Sequence, residues 1–166
     1  MDRGPSAVPW LEHLKALGLQ LPPVARPVAA YVPAVVEGGI VYVSGQLPTA
    51  GGQLAYRGRL GDGLGVDAGR AAAQLCALNA LAAAAAALSD GAAGVAGVVR
   101  VEGFVCCTPE FHEQPQVING ASELFGTLFP GSGHSRVAVG CAALPLGAPV
   151  EVAVLFRVAS APDRSG

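Results

Sequence analysis

Arg136 and Glu151 are the two charged residues whose setting could do chemistry. Arg136 stands at the mouth of an apolar run, His134-Ser135-Arg136-Val137-Ala138-Val139. Its guanidinium stays charged and offers a planar fork matched to a carboxylate. Glu151 opens the next run, Pro149-Val150-Glu151-Val152, beyond Leu144-Pro145. If the two runs pair as a hairpin, the two side chains meet at one end of a sheet. Spacing alone favours an ordinary strand-end ion pair, worth little if exposed. Other chemistry is absent from the pattern. Gly58 to Gly63 is glycine-rich, yet neither a strand nor a fitting helix start flanks it as a phosphate loop requires. No Gly-x-Ser-x-Gly elbow occurs. Cys76, Cys106, Cys107 and Cys141 read as free thiols, because three sit in apolar runs and the adjacent pair would point to opposite faces of a strand. His13, His112 and His134 share no metal-ligand spacing with one another or with the cysteines, so no metal and no other cofactor is implied. A catalytic site must use a sparse set of polar groups.

Composition narrows the partners. Charged residues are 13% of the chain, and the ten Lys and Arg are scattered at a net charge of -2, which leaves no basic stripe for nucleic acid. A hydrophobic content of 52% excludes a disordered chain. So little charge on a small domain suggests surface covered by further copies, although an Ala/Gly/Val-rich composition inflates the apolar count to the same effect. Met1-Asp2-Arg3-Gly4-Pro5 does not begin a secretory leader. Ala71 to Leu88 is uncharged and nearly long enough for a membrane, but it is mostly alanine and interrupted by Gln74 and Asn79. The expectation is a soluble, cytoplasmic chain with no membrane partner.

The elements that must position Arg136 and Glu151 follow from periodicity. Trp10 to Leu19 spaces its leucines as a short amphipathic helix, stopped by Leu21-Pro22-Pro23. Tyr31 to Val36 and Ile40 to Ser44 are strand-like runs around Glu37-Gly38-Gly39, a hairpin signal. Leu47 to Gly65 reads as a loop with at most a weak strand near Gln53 to Tyr56. Val66 to Leu88 reads as a long helix with Leu75, Leu78, Ala82 and Ala86 on one face and Asp67 near its start. Val98 to Cys107 reads as a central strand. Thr108-Pro109-Glu110 can cap a second helix over Gln114 to Leu128, whose apolar face is Val117, Ala121, Leu124, Phe125 and Leu128. Arg136 to Ala142 and Val150 to Val158 complete the set. The order β-β-(β)-α-β-α-β-β is an α+β domain, one mixed sheet with two helices on one face and a bare second face that another subunit would cover.

Four short motifs in this order resemble the RidA/YjgF reactive-intermediate deaminase family over Pro27 to Phe156. They are Ala30-Tyr31-Val32; Val41-Tyr42-Val43-Ser44-Gly45-Gln46-Leu47-Pro48; Val117-Ile118-Asn119; and Arg136, Leu144-Pro145 and Val150-Glu151-Val152 at the family's own spacing. The resemblance divides the chain into an N-terminal extension with a short helix (1–26), the domain (27–158) and a tail (159–166). It implies a chorismate-mutase-like fold assembled as a homotrimer, with pockets between subunits. It further implies that Arg136 binds the substrate carboxylate, Ser44 and the Gly45 backbone line the pocket, Tyr31 and Asn119 complete its wall, and Glu151 orients a water. The implied activity is hydrolysis of enamines and imines such as 2-aminoacrylate to a 2-oxo acid and ammonia, without metal or cofactor. The family's deaminases often carry a cysteine two residues after the arginine, where this chain has Ala138. The long extension and glycine-rich loop mark a divergent branch. A module that only binds small carboxylates is therefore the alternative, and a ribonuclease, a third, is disfavoured by the negative charge.

Overall fold

The computed structural model describes residues 8–24 and 30–159. Met1 to Pro5, Pro27 and the tail beyond Ala159 lie outside the described residues. Helix α1 spans Pro9–Ala16 and ends earlier than its leucine spacing suggests. Gly18, at φ +71°, supplies the left-handed residue that closes a helix, so the stop precedes Pro22-Pro23. Trp10 packs against Phe129 with ring centroids 5.8 Å apart and donates from Nε1 to the Ala92 carbonyl at 3.1 Å.

Strands β1 (Ala34–Glu37) and β2 (Ile40–Gln46) form the expected hairpin. Gly38 and Gly39 both take positive φ, the requirement of a two-residue turn that follows the twist of its strands. The glycine-rich segment folds into two small ladders apart from the main sheet, β3 (Thr49–Ala50) with β4 (Gln53–Leu54), and β5 (Arg59–Leu60) with β6 (Gly63–Leu64). Helix α2 (Val66–Ala87), strand β7 (Val95–Cys106), helix α3 (Gln114–Leu128), strand β8 (Ser135–Cys141) and strand β9 (Val150–Val158) follow. The five-stranded sheet runs β1-β2-β9-β7-β8, with only β7 and β8 parallel.

This order overturns the expected hairpin of the last two strands. Helix α3 is the crossover that parallel neighbours need, and it lays β8 beside β7. Strand β9 then takes the opposite edge of β7 and is separated from β8 by it. A second difference concerns α3: Glu113 is its N-cap and no side chain caps it, so Thr108 has no capping role.

Both long helices lie on one face of the sheet. Gln46, Val152, Gly103 and Ala138 form one row on that face, and Val43, Val154, Val101 and Arg136 form the next. Helix α2 is buried on several sides at once: Ala72, Ala73, Ala77, Ala80 and Ala84 are shut off along with Leu78 and Leu81, whereas Ala86 at its end is exposed. Its thin alanine layer admits the sheet beneath and α3 alongside. A Cβ on Gly120 of α3 would collide with the backbone carbonyl of Arg70, so glycine at 120 sets the closeness of the two helices. The opposite sheet face carries Val35, Tyr42, Val137 and Val139, all exposed.

Candidate functional site

Arg136 projects toward the helices from the start of β8. Asn119 and Ser122, three residues apart on α3, share a face toward it. Arg136 Nη1 donates to Asn119 Oδ1 at 2.7 Å and to Ser122 Oγ at 3.2 Å. Ser122 Oγ lies 3.0 Å from His134 Nε2, and the imidazole stands edge-on to Phe125. Burial, and secondarily the Arg136 charge, hold His134 below its ordinary range. Among the described residues no carboxylate lies within ion-pair distance of Arg136; the ion pairs are Arg70 with Glu123 and Arg100 with Glu102.

A second group gathers where β2 meets β9. Val43 pairs with Val154 and Gln46 with Val152, so β2 spends one residue more than its partner and bulges at Ser44-Gly45. Ser44 Oγ donates to the Val32 carbonyl at 2.8 Å, and its N–H to that of Pro33 at 2.9 Å, which leaves the hydroxyl oxygen as an acceptor. The Glu151 carboxyl reaches over Gly45 so closely that a Cβ there would overlap Oε1. Close approach, not positive φ, is the need for glycine at 45. Burial raises the Glu151 carboxyl above its ordinary value.

Tyr31, exposed, stands with Gly45 on the wall of a cavity of about 420 Å³ that also involves Gln46, Leu47, Leu54, Asn79 and Leu146. Leu146 holds φ +60°, and its carbonyl accepts from Arg57 Nη1 at 2.6 Å. Asn79 is buried and donates to the carbonyls of Leu47 and Thr49 at 2.9 and 3.1 Å, tying the segment after β2 to α2.

Within one chain the expected residues thus divide: Arg136 with Asn119, and Glu151 with Ser44, Gly45 and, across the bulge, Tyr31. Arg136 pairs with Val101 and Glu151 with Phe104, an odd separation along β7 that sends the two side chains to opposite faces of the sheet. The strand-end ion pair that spacing favoured does not form. The sequence reading missed Ser122, His134 and Asn79 as members of these networks. Each left a signal: His134 precedes Arg136 by two residues, the interval of one strand face, and a lone asparagine inside an apolar helix must find partners once buried.

Comparisons with known proteins agree with this architecture. The family model described as "YjgF/chorismate_mutase-like, putative endoribonuclease" matches residues 12–158. Protein TCP17 of Trypanosoma cruzi is 43% identical over 148 residues, covering 88% of this chain and 92% of that protein. The crystal structure of Atu1372 from Agrobacterium tumefaciens, a protein of unknown function, superposes with a TM-score of 0.82 at 41% identity, covering 92% of this chain and 94% of that one. Escherichia coli TdcF, solved with bound serine, shares the fold at 21% identity and a TM-score of 0.59, covering 84% and 94%. With its sheet order, its two helices on one face and its matched length, the chain belongs to the YjgF/chorismate-mutase-like family.

Proposed function

We propose that the protein is an enamine/imine deaminase whose pocket lies between the subunits of a homotrimer. One observation carries the reading: the Arg136 guanidinium is held by two neutral oxygens rather than by a carboxylate. Both acceptors engage Nη1, so the side-on edge formed by Nε and Nη2 is left for a bidentate ligand. A charged group half-shielded from water with no acid beside it is matched to a small organic acid. The Glu151 group is its complement, a carboxyl packed over the bulged backbone at Gly45, next in sequence to Ser44. The exposed apolar sheet face is the surface by which one copy would bring its Arg136 edge to the Glu151 group of the next.

In such a pocket Arg136 fixes the substrate carboxylate and so aims the imine carbon. Glu151 takes a proton from water as its oxygen bonds to that carbon. With the imine nitrogen protonated beforehand, Glu151 returns its proton to the nitrogen of the resulting carbinolamine. Ammonia leaves as the hydroxyl gives its own proton to Glu151, and the 2-oxo acid remains. Burial raises the Glu151 carboxyl toward neutrality, which suits a group that accepts and returns a proton. In TdcF a fold of this kind holds serine, a ligand of the same size class. The net charge of -2 favours a small-molecule site over an RNA surface.

A carboxylate-binding module without turnover is the second reading, favoured by Ala138 at the place where the family's deaminases often have cysteine. Release of 2-oxo acid and ammonia from freshly generated 2-aminoacrylate separates the two. The deaminase reading expects wild type to accelerate release and Arg136→Ala to abolish the acceleration. Equal rates for the two would overturn it. Pyruvate binding that survives Glu151→Gln, in a wild type with no turnover, would establish the module.

A further inference from the structure

We propose that His134, acting through Ser122 as a neutral hydrogen-bond acceptor, is the positioning residue that locks the Arg136 guanidinium with its side-on edge open to a carboxylate. The proposal deepens the reading of Arg136 as the carboxylate anchor and rests on it.

Arg136 has donors only, so at Ser122 the hydroxyl oxygen must accept from Nη1. The single Ser122 proton is then left to point elsewhere, and His134 Nε2 lies 3.0 Å away. That contact takes up the proton when Nε2 is bare and the ring proton sits on Nδ1; an Nε2–H donating to the second lone pair of Oγ would leave the Ser122 proton with no acceptor among the described residues. The chain Arg136 to Ser122 to His134 therefore has one direction. Each donation strengthens the next, because a hydroxyl that donates is a better acceptor. Asn119 Oδ1 takes the other Nη1 proton at 2.7 Å. With both Nη1 protons engaged, the guanidinium plane cannot turn, and Nε with Nη2 remains the only edge to offer.

Protonating His134 would reverse the last link. A proton on Nε2 makes the ring a competing donor to Ser122 and sets a second cation beside Arg136. Burial first and the Arg136 charge second lower the His134 pKa, which favours the neutral ring. Of the other charged groups on the packed elements, Arg100 pairs with Glu102 on β7 and Glu123 of α3 with Arg70 of α2, while Asp67 of α2 and Glu12 and Lys15 of α1 are outside those ion pairs.

NMR on the full-length, ligand-free protein tests the lock without reference to any activity. Ring nitrogen shifts should show His134 Nε2 unprotonated at neutral pH. Relaxation of the Arg136 Nε–H should be that of an ordered group in wild type and His134→Gln, whose side-chain oxygen can replace Nε2. The same group should become mobile in His134→Ala, and in wild type once the pH falls through the His134 titration. Pyruvate affinity should weaken about five-fold in His134→Ala, the scale of one lost hydrogen bond, and recover in His134→Gln. KM for 2-aminoacrylate should rise with little change in kcat, and Ser122→Ala should add nothing to His134→Ala. An Arg136 equally ordered in His134→Ala overturns the proposal, as does a protonated Nε2 in wild type. A wild type that binds no pyruvate removes the carboxylate reading instead, while the relaxation result still decides the lock.

Discussion

Glu151 has room for its carboxyl only because residue 45 lacks a side chain. The contact joins two strands: the β2 bulge brings the Gly45 Cα under a carboxyl rising from β9. Gly45→Ala should drive the Glu151 carboxyl, the free end of a flexible side chain, out of its half-buried position with little change in stability. Turnover should fall at least ten-fold while pyruvate still binds, since Arg136 is untouched; kinetics beside calorimetry would check the split. The raised pKa of Glu151 has a stability consequence of definite sign. Between the ordinary carboxylate value and the raised one, the native state keeps a proton that the unfolded chain has released. Stability is therefore lost as pH rises through that window. Glu151→Gln carries no such charge, so its melting temperature should equal that of wild type in acid and exceed it at neutrality. Thermal scans across pH that showed the variant less stable at neutrality would contradict the burial account. At this scale the sequence was informative about residue types and silent about faces. Arg136 and Glu151 were legible as charged residues near the starts of the last two strands. Their placement on opposite faces was not, because it depends on which strand lies between.

The elements were legible where periodicity is strong. Helix α3 begins and ends where its apolar spacing predicts, Gln114–Leu128, and β9 where its alternation does, Val150–Val158. Strand β7 starts at Val95 rather than Val98, because a bulge between Val98 and Arg100 breaks the alternation that would have revealed the extra residues. For α2 a single apolar face was the wrong expectation, since an alanine-rich helix has no bulky stripe to betray its burial on several sides. Small residues here hold elements close, and Gly120 is the sharpest case. Its missing Cβ is where the Arg70 carbonyl of α2 sits. Backbone cannot swing aside as a side chain can, so Gly120→Ala should part α2 from α3 and cost about 2–3 kcal/mol by urea unfolding. Because α3 carries Asn119 and Ser122, the same variant should loosen Arg136. An unchanged unfolding midpoint would mean the helices have slack to yield.

Across the whole molecule, the remaining question is what covers the second sheet face. The register sets Val35 beside Tyr42, and Val137 and Val139 on the far strand, with Leu155 and Phe104 half-buried between them. A largely apolar face of this kind is costly to leave in water. The Arg100–Glu102 pair stands in the middle of this face, and the Glu151 carboxyl is tucked over Gly45. The resemblance implied three copies, and the division of the expected site residues into two groups supplies an independent reason for more than one. On the proposed chemistry neither group suffices by itself, since one would hold the anchor and the other the proton carrier. Val137→Lys tests both ideas together. Val137 lies opposite Glu102 on the exposed face, away from the Arg136 side chain, so the monomer should tolerate lysine there. Between subunits the same ammonium would be stripped of water at a cost of several kcal/mol. Sedimentation should show trimers in wild type and monomers in the variant, with unchanged circular dichroism. If the site needs two chains, 2-aminoacrylate turnover should disappear with the trimer and return as subunits are forced together at high concentration. A Val137→Lys monomer that turns over substrate at the wild-type rate would mean that one chain holds the whole site, and that Arg136 and Glu151 do not act together.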